Sequence, residues 1–295
     1  MNLNILPGKY ILAVSGGVDS MVLLDLAGKK SGLELIVAHF DHGIREHSAK
    51  DAGFVEAAAK NYNLRFELGQ GNLSGNASEE MARAARYDFL NGLKQKHEAA
   101  AVVTAHHQDD LIETAFLNTI RGTGPRGLVA ILNNPGVLRP FIKVPKKDIL
   151  NYAITSRIDW VEDETNTDDK YLRNYIRRTL MSRLSMRDRQ KILENIQTID
   201  DSIGKSQPVI AKISHKIIEK DGSIDRMAFT ALPGPVAKEL LYVWLSDQNV
   251  SDVDRKMIDR LDLALRTSRA GTACDIKTGK SLRLSVKKAQ ITNTL

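Results

Sequence analysis

Six consecutive residues, Ser15-Gly16-Gly17-Val18-Asp19-Ser20, carry the sharpest chemical signal in the chain. They sit between an apolar run and a segment of helical spacing. Paired glycines let a backbone approach a phosphate closely, and the amides of the turn and the helix start form a nest for an anion. The hydroxyls of Ser15 and Ser20 can add donors. Asp19 is the candidate carboxylate for Mg²⁺ brought in with a triphosphate, or else a favourable anion in a first helical turn. The pattern GxxxxGK[ST] is absent, and with it the lysine that reaches a γ-phosphate. Such a loop suits chemistry elsewhere on a triphosphate; the plainer alternative is a glycine turn with only a structural role.

A second group follows about ninety residues later: His106-His107-Gln108-Asp109-Asp110, then Glu113. Asp110 and Glu113 are three apart and share a helix face, where paired carboxylates can bind a cation or accept a proton. Asp109 and Asp110 can equally be read as helix caps, which leaves Glu113 unexplained. His39 and His106 either border a bound nucleotide or serve the fold. His106, His107, Asp110 and Glu113, or His39, Asp41 and His42, could form a transition-metal site, although the spacing is not HExxH and no cysteine joins them. Arg173, Asn174 and Arg177 place two guanidinium forks one helical turn apart, suited to phosphate or carboxylate. Arg121 and Gly122, in Arg121-Gly122-Thr123-Gly124, could approach a triphosphate or an RNA backbone. Arg83 and Arg86 share a face with Glu79 and read most simply as internal salt bridges.

These residues need a frame, and the first 110 residues alternate strand and helix signals. Apolar runs at 10–15, 35–40, 65–68 and 99–105 predict four strands. Helical spacing at 18–29, 48–62, 79–96 (with Ser78 as its cap) and 109–121 (stopped by Gly122) predicts the intervening helices. That order implies an α/β fold, a Rossmann-like parallel sheet with helices on both faces, whose ligands bind beyond the carboxyl ends of the strands. From about residue 190 the pattern turns mostly helical, at 191–220, 236–245 and 254–265, with a break at Leu232-Pro233-Gly234-Pro235. Residues 272–292 alternate about Lys277-Thr278-Gly279-Lys280 and read as a terminal β-hairpin. The expected domains are therefore 1–190, catalytic, and 191–295, a smaller helical domain.

Composition narrows the function further. The 295 residues carry a net charge of +6, concentrated in two blocks of +7 each, at 170–191 and 255–295, on a mildly acidic body. Phosphate-rich partners are one inference; two solvated helix faces are the other. The few aromatics in the second block favour backbone binding over base reading. No run is long and apolar enough for a membrane span, and the first residues do not read as a signal peptide, so a cytoplasmic protein without membrane partners is expected. One cysteine, Cys274, rules out an internal disulfide, a four-cysteine zinc site and a cysteine-held iron–sulfur cluster.

SGGxDS after an apolar strand resembles the signature of the PP-loop ATP pyrophosphatases, which cleave ATP between its α- and β-phosphates. Further blocks narrow the resemblance: residues 39–45 (HFDHGIR), 76–87 (NASEEMARAARY), 105–114 (AHHQDDLIET), 121–124 (RGTG), 163–166 (DETN) and 171–177 (YLRNYIR). In that order they look like the tRNA(Ile)-lysidine synthase family, strongly over about residues 8–185 and loosely beyond. Glu164 and Thr165 depart from the small residue or proline and the serine usual there. The chain also resembles short forms without an additional C-terminal domain.

The resemblance implies that ATP with Mg²⁺ adenylates C2 of the wobble cytidine in an isoleucine tRNA with a CAU anticodon. Free L-lysine then displaces AMP through its ε-amine, which shifts decoding from AUG to AUA. Only about one lysine amine in 2,500 is unprotonated at pH 7, so a carboxylate that binds it and takes its proton is needed. Asp19, Asp110, Glu113 and Arg173 are then the catalytic candidates. ATP falls to Ser15, Gly16, Gly17, Val18, Asp19, Ser20, His39, His106, Arg121 and Gly122. Lysine and tRNA fall to Asp110, Glu113, Arg173, Asn174 and Arg177. Two rivals stand beside this reading: a tRNA 2-thiolation enzyme, which commonly needs paired cysteines, and a non-catalytic nucleotide- or RNA-binding module. The sequence leaves the oligomeric state, including a homodimer, open.

Overall fold

The computed structural model describes residues 1–41, 43, 48–71, 79–134, 136–162, 172–250, 253–276 and 279–293. The proposed cap Ser78, the block 163–166, Tyr171 and the hairpin residues Lys277 and Thr278 lie outside the described residues, as do His42, Ile44 and Arg45. The chain divides into two compact units, one of Met1–Leu117 with Ala130–Met186, the other of Asn118–Val129 with Arg187–Leu295.

The first unit opens with β1 (Gly8–Ala13), α1 (Val18–Gly28), β2 (Leu33–Asp41), α2 (Ser48–Asn61) and β3 (Arg65–Gln70). It continues with α3 (Glu79–Lys96), β4 (Ala101–Val103) and α4 (Gln108–Ile120), whose last residues enter the second unit together with α5 (Pro125–Leu128). The chain then returns through β5 (Val137–Leu138), α6 (Lys146–Thr155) and α7 (Leu172–Tyr175) to a π-helical turn at Ile176–Leu180. The five strands pair in parallel in the order β3-β2-β1-β4-β5. Strand residues alternate between two cores, as the period of two requires. Tyr10, Leu12, Val37 and Val103 pack with Leu23 of α1, Val55 of α2 and Ile149 of α6. Ile11, Ile36 and Val102 pack instead with Leu90 and Leu93 of α3. Helices thus cover both faces, as the alternation of signals predicts. After β3 the chain crosses to the far side of β1, so the crevice at the carboxyl ends of β1 and β4 is the topological switch point.

The second unit holds α8 (Met186–Ile217) from its second residue on, β6 (Ile224–Asp225), α9 (Arg226–Thr230), α10 (Gly234–Asp247), α11 (Arg255–Thr267), β7 (Ala273–Ile276), β8 (Lys280–Leu284) and β9 (Lys288–Asn293). Buried isoleucines at 196, 203, 210 and 217 recur every seven residues along α8, two turns apart on one face. Leu240, Leu241 and Trp244 of α10, Leu261 and Leu265 of α11, and Leu282 and Leu284 of β8 share one core. The tail is more than the expected hairpin: its three strands join β6 in an antiparallel sheet ordered β6-β9-β8-β7. Among the described residues no helix is long and apolar enough to cross a membrane.

Candidate active site at the switch point

The loop after β1 has the geometry of an anion nest. Gly16 adopts φ +92°, a left-handed conformation that glycine alone takes without strain. Gly17 is the N-cap of α1 and makes no side-chain cap bond, so the first amides of the helix stay open to a ligand. Ser20 holds the loop itself. Its hydroxyl accepts from the Ser15 amide at 3.1 Å and donates to the Gly17 carbonyl at 2.8 Å. Ser15, in contrast, is exposed. The Val161 amide donates to the Gly16 carbonyl at 3.0 Å and pins the loop from a distant segment. On the next strand the buried His39 donates from Nδ1 to the Val14 carbonyl at 2.9 Å, tying the ends of β1 and β2 together.

Beyond β4, His107 and Asp110 form a reciprocal helix cap. His107 Nδ1 accepts from the Asp109 amide at 3.2 Å, and Asp110 Oδ2 accepts from the His107 amide at 2.8 Å. The capping reading of Asp110 is therefore correct, and it does not compete with a role in the site. With Nδ1 an acceptor, the His107 proton resides on Nε2, which lies 3.5 Å from Asp110 Oδ2 and 3.7 Å from Asp19 Oδ2. A single buried imidazole thus links the carboxylate of the phosphate loop to that of α4. Burial alone would raise the Asp110 carboxyl, but His107, His106, the His107 amide and Arg177 hold it below the usual range. Glu113 is enclosed, and burial pushes its carboxyl upward against the pull of Arg177. Arg177 forks onto it, Nε to Oε1 at 2.7 Å and Nη2 to Oε2 at 2.9 Å, and also reaches to 3.5 Å from Asp110. His106 bonds Thr104 Oγ1 at 2.8 Å through Nδ1, and burial with three neighbouring arginines drives its pKa down to about 3.

The structure brings Asp19, Asp110, Glu113 and Arg177 into one crevice. Arg173 lies within electrostatic reach of Glu113 and of Arg86. Arg173 and Asn174 are half-buried on α7. Arg121 and Gly122 belong to the other unit, where Gly122, at φ +70°, ends α4. The most informative residue that the sequence pattern missed is Lys146. Its ammonium donates to both oxygens of Asp19, at 2.6 and 2.7 Å. A signal existed: Lys146 opens α6, where a cation opposes the helix dipole and needs an outside reason to stay. His107 was also passed over as a positioning group.

Asp19 is a single partly exposed carboxylate, which fits Mg²⁺ held mainly by substrate phosphates and water. Among the described residues no cluster of three or more His, Cys, Asp or Glu side chains could cage a metal. The two basic blocks divide on inspection. Arg177 turns inward, and Arg266 binds Asp262 and the carbonyls of Thr230 and Leu232. Lys280 donates to the Gln248 carbonyl and Lys288 to Asp221. Lys256, Arg269, Arg283 and Lys287 are exposed.

Known proteins bear on this site. The model of the PP-loop domain family matches residues 4–184. A tRNA(Ile)-lysidine synthase of Thermotoga maritima is 40% identical over 185 residues, 59% of this chain and 45% of that protein. One from Rickettsia akari is 35% identical over 212 residues, 68% of this chain and 49% of the relative. The chain therefore spans about half the length of the curated relatives it matches. The U34-tRNA thiolase NcsA of Methanococcus maripaludis, solved with its 4Fe-4S cluster, shares the fold with a TM-score of 0.54 at 18% identity, over 67% of this chain and 72% of that one.

Proposed function

The chain belongs to the PP-loop domain family, and from that membership we propose that it is an ATP-dependent tRNA-modifying ligase of the lysidine-forming kind. The observation that carries this reading is the crevice where an open phosphate nest, Asp19 and the Asp110–Glu113 pair meet at one switch point. The loop from Ser15 to Ser20 would hold the triphosphate. Asp19 would hold Mg²⁺, which supplies charge neutralisation at the phosphates.

The chemistry then runs in two steps. The C2 oxygen of the wobble cytidine attacks the α-phosphorus of ATP, and pyrophosphate leaves. The lysine ε-nitrogen attacks C2, the C2–O bond breaks, and AMP departs with the oxygen. Asp110, with a side chain 20% exposed against 2% for Glu113, is the carboxylate open to the incoming amine. Its depressed pKa keeps it ionised, ready to pair with and hold the ammonium of the incoming lysine. Glu113, enclosed by Arg177, positions that pair. The second unit and its exposed cations would bind the tRNA backbone, and a cytoplasmic location follows from such a substrate.

The test is to incubate the protein with ATP, Mg²⁺, lysine and an isoleucine tRNA transcript bearing CAU, following AMP release and the mass of the wobble nucleoside. Lysine-dependent AMP release with a lysine-sized mass gain is expected. Turnover without that gain would overturn the lysidine assignment, and absence of any AMP would favour a non-catalytic nucleotide-binding module.

A further inference from the structure

Two helices on one face of the parallel sheet, α1 and α6, pack together over a core shared with β1 and β2. Two polar contacts join them. Lys146, the first residue of α6, donates to Asp19 in the first turn of α1. Further along α6, the Tyr152 hydroxyl donates to Asp25 Oδ2 at 2.9 Å. Both pairs lie 127 positions apart in the chain, so the helices run parallel with one constant offset. From the first pair to the second is six residues on either helix. Six residues turn a helix by about 240°, which puts the two contacts on opposite flanks of the seam between α1 and α6. Val22 and Ile149, midway between them, are fully buried in the shared core.

A carboxylate at position 25 is costly. Its side chain is 8% exposed, and a buried charge destabilises the fold unless donors satisfy it. Three do: Tyr152, Tyr62 at 2.6 Å and Lys29 at 2.9 Å. Burial and the Asp25 charge hold both phenols above their ordinary pKa, so they remain donors. Apolar side chains of similar volume often stabilise a fold as well as such a group or better. Apolar packing is non-directional, however, and tolerates sliding, whereas a phenol–carboxylate bond holds only over a narrow range of distance and angle. A slip of α6 by one residue along its axis is about 1.5 Å, enough to break both bonds from Lys146 to Asp19.

We propose that Asp25 and Tyr152 are positioning residues for the nucleotide site: their hydrogen bond fixes the register of α6 on α1 and so delivers the Lys146 ammonium to Asp19 beside the phosphate loop. Asp25 lies about 9 Å down α1 from Asp19 and acts through the lysine. The inference rests on the Ser15–Ser20 loop binding a nucleotide, and not on lysine transfer to RNA.

Two measurements test it, and the first needs no nucleotide. Protein labelled with carbon-13 at its lysine ε-carbons gives a Lys146 resonance, assigned by its loss in Lys146→Met. That resonance should move in Tyr152→Phe. It should stay in place in Tyr62→Phe, which removes a bond to the same carboxylate from the residue after α2. An unmoved resonance in Tyr152→Phe would overturn the proposal. The second measurement is equilibrium binding of ATP at saturating Mg²⁺. Tyr152→Phe should weaken it about threefold, part of the roughly tenfold expected for Lys146→Met. The double variant should bind no worse than Lys146→Met alone. Losses that multiply in the double variant would show the phenol acting by another route, and equal losses in Tyr152→Phe and Tyr62→Phe would show a general loosening; either overturns the proposal. Failure of wild type to bind ATP counts against the nucleotide reading instead, and the Lys146 resonance still decides the register.

Discussion

The ammonium of Lys146 lies between the two carboxylate oxygens of Asp19, 2.6 and 2.7 Å away, although 126 residues separate them in the chain. The PP-loop lacks the lysine that phosphate loops of the GxxxxGK[ST] type carry within themselves. Here a lysine arrives from the first turn of α6 and rests on the acidic residue of the loop.

Lys146→Met should therefore raise the KM for ATP about tenfold, the effect of one lost charge-assisted contact, without changing the KM for tRNA. Steady-state AMP release over a range of ATP and Mg²⁺ concentrations checks this. A lower Mg²⁺ requirement with no change in the KM for ATP would show instead that Lys146 merely competes with the metal for Asp19.

Arg177 and Glu113 form the second pair. Removing one partner of a buried ion pair costs roughly 3–5 kcal/mol, but the Arg177 side chain is 41% exposed and solvent screens part of that. Arg177→Met should cost about 2 kcal/mol at pH 7 by denaturant unfolding. The orphaned Glu113 carboxyl, already raised by burial, would rise further. A carboxyl whose folded pKa exceeds its unfolded value favours the fold below the unfolded pKa and loses that contribution as pH rises. The defect of the variant should therefore shrink as pH falls towards 5; a defect that grows with acidity contradicts the assignment.

His106 supplies a pH signature of opposite sense. With a folded pKa of about 3 against 6.5, it stays neutral in the native state while the unfolded chain takes up a proton below pH 6.5. Native stability is then lost as pH falls through that window, at about 1.4 kcal/mol per pH unit for one proton. Between pH 7 and pH 5, His106→Gln should lose about 2 kcal/mol less than wild type in parallel denaturant titrations. Equal losses in both proteins would mean that His106 is charged in the fold.

The buried Asp25 of α1 tests the scaffold behind the loop. It accepts from Tyr62 at 2.6 Å, Tyr152 at 2.9 Å and Lys29 at 2.9 Å. Although burial would raise its carboxyl, these donors keep it below the usual range. Tyr62→Phe should destabilise by about 1.5–3 kcal/mol, the worth of a hydrogen bond to a charged group. Gly28→Ala should act on the same contact, because an added Cβ would stand 2.6 Å from the Tyr62 ring. If the two losses add in the double variant, the substitutions do not share that contact.

How far the sequence could be read depended on distance along the chain. The Ser15–Ser20 turn, the glycine that ends α4 and the shared face of Asp110 and Glu113 are local, set by φ preference and helical period. They were legible for that reason. The short strand β5 and the four-residue helix α7 were not, because so few residues hold too little periodicity to register. The tail read as a hairpin because β6, the strand that widens it into a sheet, comes from a two-residue segment about fifty residues upstream.

The sequence by itself determined an α/β fold, a phosphate-binding turn after its first strand, and the residue types in the crevice. Only the tertiary structure decided which charges meet: Lys146 with Asp19, Arg177 with Glu113, and His107 between two carboxylates. Backbone conformation follows from neighbours a few residues apart. A charge finds its partner through packing between distant segments, and no local spacing encodes that meeting.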